Sequence, residues 1–422
     1  MNSNGGIYRA AHYTSLGRQG QKYALVAARG TSIFGLSYAE SNSANVFEPA
    51  QKRRYQLMKQ WNRKSAWRCF ALFPVFFAVL FGSSGARSEE YFDKYYFNSA
   101  AGFVDLGVQP NAYPLAFISA VMMHDRILRD ELKQKNLALR VFPFKKGNDI
   151  VKLMGNGKLE VAFLGDMPTV NTIVTTPTAV VGLGKRNFSS IVSRDFSRLD
   201  ELKGHKIGFS AGSSSHLVLM RGLKGTNMTD KDVTLVPLEP AAMPDALDKG
   251  EVDAYSAWEP TPSISLARSP KNRAIYRGMS TDWVVFSREF AERDSSVTQM
   301  LVAAYVRSLN WMRKSKENLD RAGAWVLAET EKFNGEPAKV TAAKAIEIAR
   351  KDLLEVPGAP SIPTLVDGAP PLSREFAFLK EQGRIPPTVD ESVIHEAFAF
   401  DGLRKVQGDP KKYRLFTFDY QE

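Results

Sequence analysis

Cysteine is almost missing: the 422 residues hold one, Cys69. Because that one lies inside a basic and apolar leader, the rest of the chain has no disulfide, thiol nucleophile or cysteine metal site to offer. Histidine is sparse as well, and His12, His124, His205, His216 and His395 show no metal-ligand spacing. No Walker loop occurs, and Gly212-Ser213-Ser214-Ser215-His216 is not a Gly-x-Ser-x-Gly elbow. Gly182-Leu183-Gly184 lacks the third glycine and the helix of a dinucleotide fingerprint. The apolar run Cys69 to Phe81 contains Pro74 and, at about 13 residues, is too short for a comfortable membrane span. These absences weigh against redox, metal and nucleotide chemistry and leave binding without turnover as the better fit.

Positive charge is present but confined. The formal charge is +11, yet residues 1–86 contribute eleven Lys/Arg against Glu40 and Glu48. From Arg87 onward 45 basic residues face 43 acidic ones, so the main body carries no broad phosphate-binding surface, and no nucleic-acid partner is expected. The basic excess belongs to a leader. Lys52 to Arg68 supply a basic region, Cys69 to Phe81 an apolar one, and Gly82 to Ala86 small residues for a cut after Ala86. That order is a secretory signal peptide over 58–86, with an uncleaved anchor as the other reading. Met58 opens a leader of ordinary length, so residues 1–57 read as a start assigned too early or a disordered extension. Cys69 precedes most of the apolar run, which argues against a lipoprotein, and the residues after Arg53-Arg54 fit a twin-arginine signal poorly.

The mature chain alternates strand and helix signals. Strands are expected at Phe103 to Val108, Leu137 to Phe142, Val161 to Leu164, Lys206 to Phe209, Val233 to Leu238, Val252 to Ala257 and Trp283 to Phe286. Helical periodicity falls between them, at Leu115 to Met122, from Asp149, from Pro168, and over 217–223 and 241–248. Such alternation implies an α/β layer with mostly parallel pairing. The unit Gly157-Lys-Leu-Glu-Val-Ala recurs as Gly250-Glu-Val-Asp-Ala, which points to two lobes built to one plan. Leu301, Tyr305, Leu309 and Met312 share a helical face within 297–315, and further helices are expected at 339–353, 373–382 and 391–406. The C-terminal third is expected to pack on the first lobe.

Four loops directly follow predicted strands: Gln109-Pro110-Asn111, Gly165-Asp166, Ala211 to His216, and Trp258-Glu259-Pro260. Ligands of open α/β sheets bind outside the carboxyl ends of strands. The serine-rich loop is the most informative, since a helix start leaves about four amides unpaired and carries partial positive charge. Ser213, Ser214 and Ser215 there would form a cup for an anion, or the stretch would be an ordinary serine N-cap on a surface helix. Asp166 could merely cap the helix begun at Pro168, Trp258 could be a core aromatic, and His216 a satisfied first-turn residue.

These same residues carry a family resemblance. Asp200 to Phe209 with Gly212-Ser-Ser-Ser-His resembles the second-lobe motif of periplasmic sulfonate-binding proteins, in the nitrate/sulfonate/taurine group of ABC-transporter substrate-binding proteins. Gly165-Asp166-Met167-Pro168 resembles that group's Gly-Asp-Ile-Pro turn, and Val252 to Pro260 its Val-Asp-Ala…Trp-(Asp/Ala)-Pro stretch. Phe378 to Pro386 resembles the Leu-Lys-Glu-Gln-Gly-Lys-Val-Pro of the taurine branch. Pro110-Asn111-Ala112-Tyr113, after Gln109, departs from the sulfonate branch. The serine and C-terminal motifs thus point to different branches of one family.

The resemblance implies a type II periplasmic-binding-protein fold: two α/β lobes, a cleft between them, and helical C-terminal elements. Residues 95–185 would begin lobe 1, 186–286 form lobe 2, and 287–422 complete lobe 1, with crossings near 182–190 and 284–290. Ligand contacts carried over would be Gln109, Gly165, Asp166, Ser213, Ser214, Ser215, His216 and Trp258. Serine hydroxyls and helix-start amides would hold an oxyanion, Trp258 would cover the organic part, and Asp166 would meet an amine or orient an amide. The implied protein is an exported, monomeric receptor without cofactor. It would bind taurine, an aliphatic sulfonate or a nitrate-like anion and pass it to an inner-membrane ABC permease. An enzyme or sensor on the same fold, acting on a pyrimidine-type precursor, is the alternative. The cysteine-rich motif of the pyrimidine synthases is absent, and no helix-turn-helix precedes the lobes.

Overall fold

Strands buried on both faces are built from near-continuous apolar runs, and Val161-Ala-Phe-Leu is such a run; Val104-to-Val108 is buried too, with Asp105 in its middle paired to Arg140 at 2.6 Å. A computed structural model describes residues 90–97, 102–354, 360–366 and 368–420; the leader and the extension before it lie outside the described residues. The first half runs β1 (Phe103–Val108), α1 (Leu115–His124), α2 (Arg126–Gln134), β2 (Ala138–Pro143), α3 (Gly147–Gly155), β3 (Val161–Gly165) and α4 (Asp166–Thr175). A long strand, β4 (Thr178–Ser193), leads into the second half. There follow β5 (Lys206–Phe209), α5 (Ser214–Gly225), β6 (Thr234–Pro237), α6 (Met243–Asp248), β7 (Ala254–Ala257) and α7 (Thr261–Arg268). The return strand is β8 (Arg273–Ser287), and then come α8 (Arg288–Arg293), α9 (Ser295–Lys314), α10 (Lys316–Asn334) and α11 (Ala342–Ala349). The C-terminal helices are α12 (Ser373–Glu381), α13 (Ser392–Ala397) and α14 (Asp401–Gly408).

The eight strands of the described residues form one sheet in the order β2-β1-β3-β8-β4-β7-β5-β6. Two parallel trios, β2-β1-β3 and β6-β5-β7, flank a central antiparallel pair, β8 and β4. The trios share one strand order, so the two halves follow the same plan. β4 pairs with β8 along its whole length and reaches β7 only at Ser190–Ser193, so its far end lies beside the second trio. The return crossing comes earlier than expected. Asp282–Phe286 already pair with β3, which puts that crossing near residues 277–281, opposite 186–190 of β4. Antiparallel register forces this: two strands that cross as a pair must cross at the same level.

Each half has apolar packing on both faces of its strands. In the first, Val104, Leu106 and Phe163 pack under Leu301, Tyr305 and Leu309 of α9, while Ala162 and Leu164 pack with Phe376 and Leu379 of α12. In the second, Ile207, Leu219 and Leu223 fill one face, and Met243, Leu247 and Tyr255 the other. The C-terminal helices thus cover the first half. The Tyr305 hydroxyl reaches back to donate to the Leu183 carbonyl at 2.5 Å, tying α9 to the crossing. Among the described residues, no helix is long and apolar enough to cross a membrane.

Candidate functional site

The carboxyl ends of β1, β3, β5 and β7 converge on the crossing of β4 and β8, and a cleft opens there. It is lined by Gln109, Gly165, Ser213, Ser214 and Trp258 from the predicted loops, joined by Lys185, Ser280 and Asp282 from the crossing strands. About 40 Å³ is open to the centres of water-sized molecules, room for a few waters. Two halves close tightly around it. The Tyr113 amide donates to the Glu259 carbonyl at 2.9 Å, Asn148 Nδ2 to the Ala211 carbonyl at 2.9 Å, and Lys146 pairs with Glu239.

The serine loop divides its labour. Ser213 is the N-cap of α5: its Oγ accepts the His216 amide at 3.2 Å and donates to the Ser210 carbonyl at 2.7 Å. Since that single proton is committed, the 2.9 Å contact with Ser215 Oγ has Ser215 as donor. Ser215 is fully buried, and its carbonyl accepts from Ser256 Oγ at 2.8 Å. Ser214 lines the cleft beside Ser213, and its hydroxyl interacts with Asp166. The amides of Ser214 and Ser215, at the start of α5, have no partner among the described residues. Position 165 is glycine for a steric reason, because a Cβ there would lie 2.6 Å from Ser214 Oγ and 3.3 Å from Asp282 Oδ1.

Asp166, Ser215 and His216 stand behind the cleft wall rather than in it. Asp166 Oδ1 accepts the Met167 amide at 2.7 Å and Oδ2 the Thr281 amide at 3.1 Å, so it ties α4 to β8. Burial raises its pKa, while Ser214, the two amides and Arg221 oppose the shift. His216 Nδ1 accepts the Gly212 amide at 3.3 Å, and its ring packs between Phe209 and Phe378. Burial, helped by the Arg384 charge, lowers its pKa to about 4, so the ring is neutral and serves the loop's shape.

Two residues that carry the site's charge were not among the candidates. Lys185 Nζ lies 2.9 Å from Asp282 Oδ2, with side chains 4% and 9% exposed. They are register partners on β4 and β8, and Asp282 also faces Gly165 of β3. A break in register between Leu183 and Lys185 sets the lysine at this level; a bulge next to a site is a common device for aiming a side chain. Gly182-Leu183-Gly184, too short for a nucleotide fingerprint, is part of that irregular strand. Burial pulls the Lys185 pKa down to about 7, against the carboxylates of Asp352, Asp166 and Glu259. Trp258 adds a donor, since its Nε1 is buried with no partner among the described residues. The Lys185 amine, the Ser214 amide at the start of α5 and an indole N–H around one small cleft make a donor-rich site suited to an oxyanion.

The chain has an α/β periplasmic-binding-protein-like fold. Residues 171–327 match the NMT1-like family, and the chain is distantly homologous to aliphatic sulfonate- and taurine-binding proteins. Over 184 residues it is 26% identical to an Escherichia coli K12 protein named for binding aliphatic sulfonates, covering 41% of this chain and 57% of the relative. The chain thus spans little more than half the length of that relative. Over 265 residues it is 22% identical to the taurine-binding periplasmic protein of Escherichia coli K12, covering 59% and 79%. The alkanesulfonate-binding protein SsuA of Xanthomonas axonopodis pv. citri, bound to MOPS, superposes with a TM-score of 0.56 at 17% identity, over 72% of this chain and 99% of that one. The desulfurization enzyme DSZB shares the fold at a TM-score of 0.51 and 16% identity, over 73% and 99%.

Proposed function

We propose that this chain is the solute-binding component of an ABC importer, and that its ligand is an organosulfonate or a related oxyanion. Two α/β lobes, one on either side of the β4–β8 crossing, would close on the ligand by hinge motion there. The protein would work outside the inner membrane as a monomer and hand its ligand to a membrane permease. One observation carries this reading: the Ser214 amide and Trp258 Nε1, donors without partners among the described residues, meet buried Lys185 in one cleft. The sulfonate would sit on the start of α5, with Lys185 as counter-charge, Gln109 and Gly165 at its edge and Trp258 over the organic part. Ser213, Ser215, His216 and Asp166 would shape the loop and brace it.

A thermal-shift panel on the full chain tests this, with ethanesulfonate, taurine, nitrate, bicarbonate and a pyrimidine precursor. A ligand at about 100 times its Kd adds roughly 2.7 kcal/mol of stability. A shift with a sulfonate, and recovery of that sulfonate unchanged after incubation, supports a receptor. Consumption of the ligand would favour an enzyme on the scaffold that DSZB shares, and no shift with any oxyanion would count against the proposal.

A further inference from the structure

A second cavity lies against the polar cleft. Three loops line both: Gln109 and Ala112 face the inner cleft while Asn111 and Tyr113 face the outer cavity, Gly147 is paired in this way with Lys145, and Trp258 with Pro260. Between Ala112 and Trp258 of the inner cleft and Pro260 of the outer cavity stands the Tyr113–Glu259 backbone hydrogen bond, 2.9 Å, made from one half of the sheet to the other. The outer cavity draws its walls from both halves of the sheet, with Pro240, Ala242, Pro260 and Ile264 from one and Tyr113 and Val340 from the other. It offers about 190 Å³. An apolar cavity of about 150 Å³ holds a benzene ring, so this one has room for a ring or a chain of similar bulk. The inner cleft, at about 40 Å³, has room for an anionic head and little more.

Resting on the proposed function, we infer that the outer cavity is the subsite for the ligand's organic part, so that the ligand is an organosulfonate with a ring-sized or extended apolar tail. The head would occupy the inner cleft when the halves are apart, and the tail would lie between Tyr113 and Pro260 as they close. The Tyr113–Glu259 contact would then form beside the tail instead of across the passage. Burial of tail surface by both halves would add to affinity and hold the closed form, at about fourfold per methylene removed from water. Nitrate and taurine leave the cavity unused and would bind more weakly.

Isothermal titration of the full chain with ethanesulfonate, hexanesulfonate and benzenesulfonate tests this, beside the Ala242→Trp variant. Ala242 is exposed at the cavity wall, so the indole fills space without entering a core. The expected result is at least about tenfold tighter binding of the two larger sulfonates by the wild type. In Ala242→Trp that gain should vanish while ethanesulfonate affinity stays within about twofold. Equal affinity across the series, or a gain that survives Ala242→Trp, overturns the subsite and leaves the receptor reading standing. No binding of any sulfonate overturns both.

Discussion

Lys185 and Asp282 hold the least forgiving position among the site residues, because two buried charges satisfy each other at 2.9 Å. Removing one partner strands the other, which typically costs about 3–5 kcal/mol, whereas apolar replacement of both is often near neutral. Lys185→Met is therefore expected to lower stability in urea unfolding by that order, and Lys185→Met with Asp282→Leu to recover most of it while losing anion binding. His216 gives a pH prediction. Its folded pKa, near 4, lies below the ordinary 6.5, so the unfolded chain binds the extra proton between those values. Stability is then whole above about pH 6.5 and falls as pH drops toward 4; His216→Phe should flatten that fall in denaturation measured at pH 4.5 and 7. Gln109, Gly165 and Trp258 stood out in the sequence because each directly follows a predicted strand end, and Ser214 because it belongs to the serine-rich loop after β5; all four line the cleft. Lys185 and Asp282 were not. Their meeting depends on strand register and a bulge, and a lysine beside Arg186 and Asn187 reads as a solvated turn.

Helix α5 and the β3–α4 turn meet through a missing side chain. Gly165→Ala would press a methyl group to 2.6 Å from Ser214 Oγ, and overpacking of this kind costs about 1–3 kcal/mol. The variant is expected to melt earlier and, since the start of α5 must move away, to bind sulfonate at least about tenfold more weakly by titration. Loss of stability with unchanged affinity would remove α5 from the site. Elements with clean apolar patterns were readable, and β1 and β5 fall where alternation placed them. β4 was missed because it is apolar at its ends but carries Gly182, Gly184, Lys185 and Asn187 in the middle, where it passes between the halves. α10 was missed for a different reason. It begins immediately after α9, with only Ser315 between, yet that serine caps it through the Asn318 amide and Gly335, at φ +71°, ends it. Those two residues were the available signal.

At the scale of the whole molecule, the halves are braced behind the cleft as well as across it. Glu375 of α12 lies 3.3 Å from Arg221 of α5, beside Asp166. Burial, reinforced by the Asp166 charge and opposed by Arg221, raises the Glu375 pKa to about 7. A carboxyl raised in this way contributes stability that is present below its unfolded pKa and is lost as pH rises through about 7. Glu375→Gln is expected to keep more of its stability than the wild type between pH 5 and pH 8.5, measured by urea unfolding at both. On the proposed function, two halves of one plan, joined by paired crossing strands, are organised around an anion. The most direct measurement is isothermal titration of hexanesulfonate into the full chain and into Lys185→Met/Asp282→Leu. One saturable site per wild-type chain, lost in the folded double variant, is the predicted result; no heat from the wild type, or equal affinity in both, would contradict it.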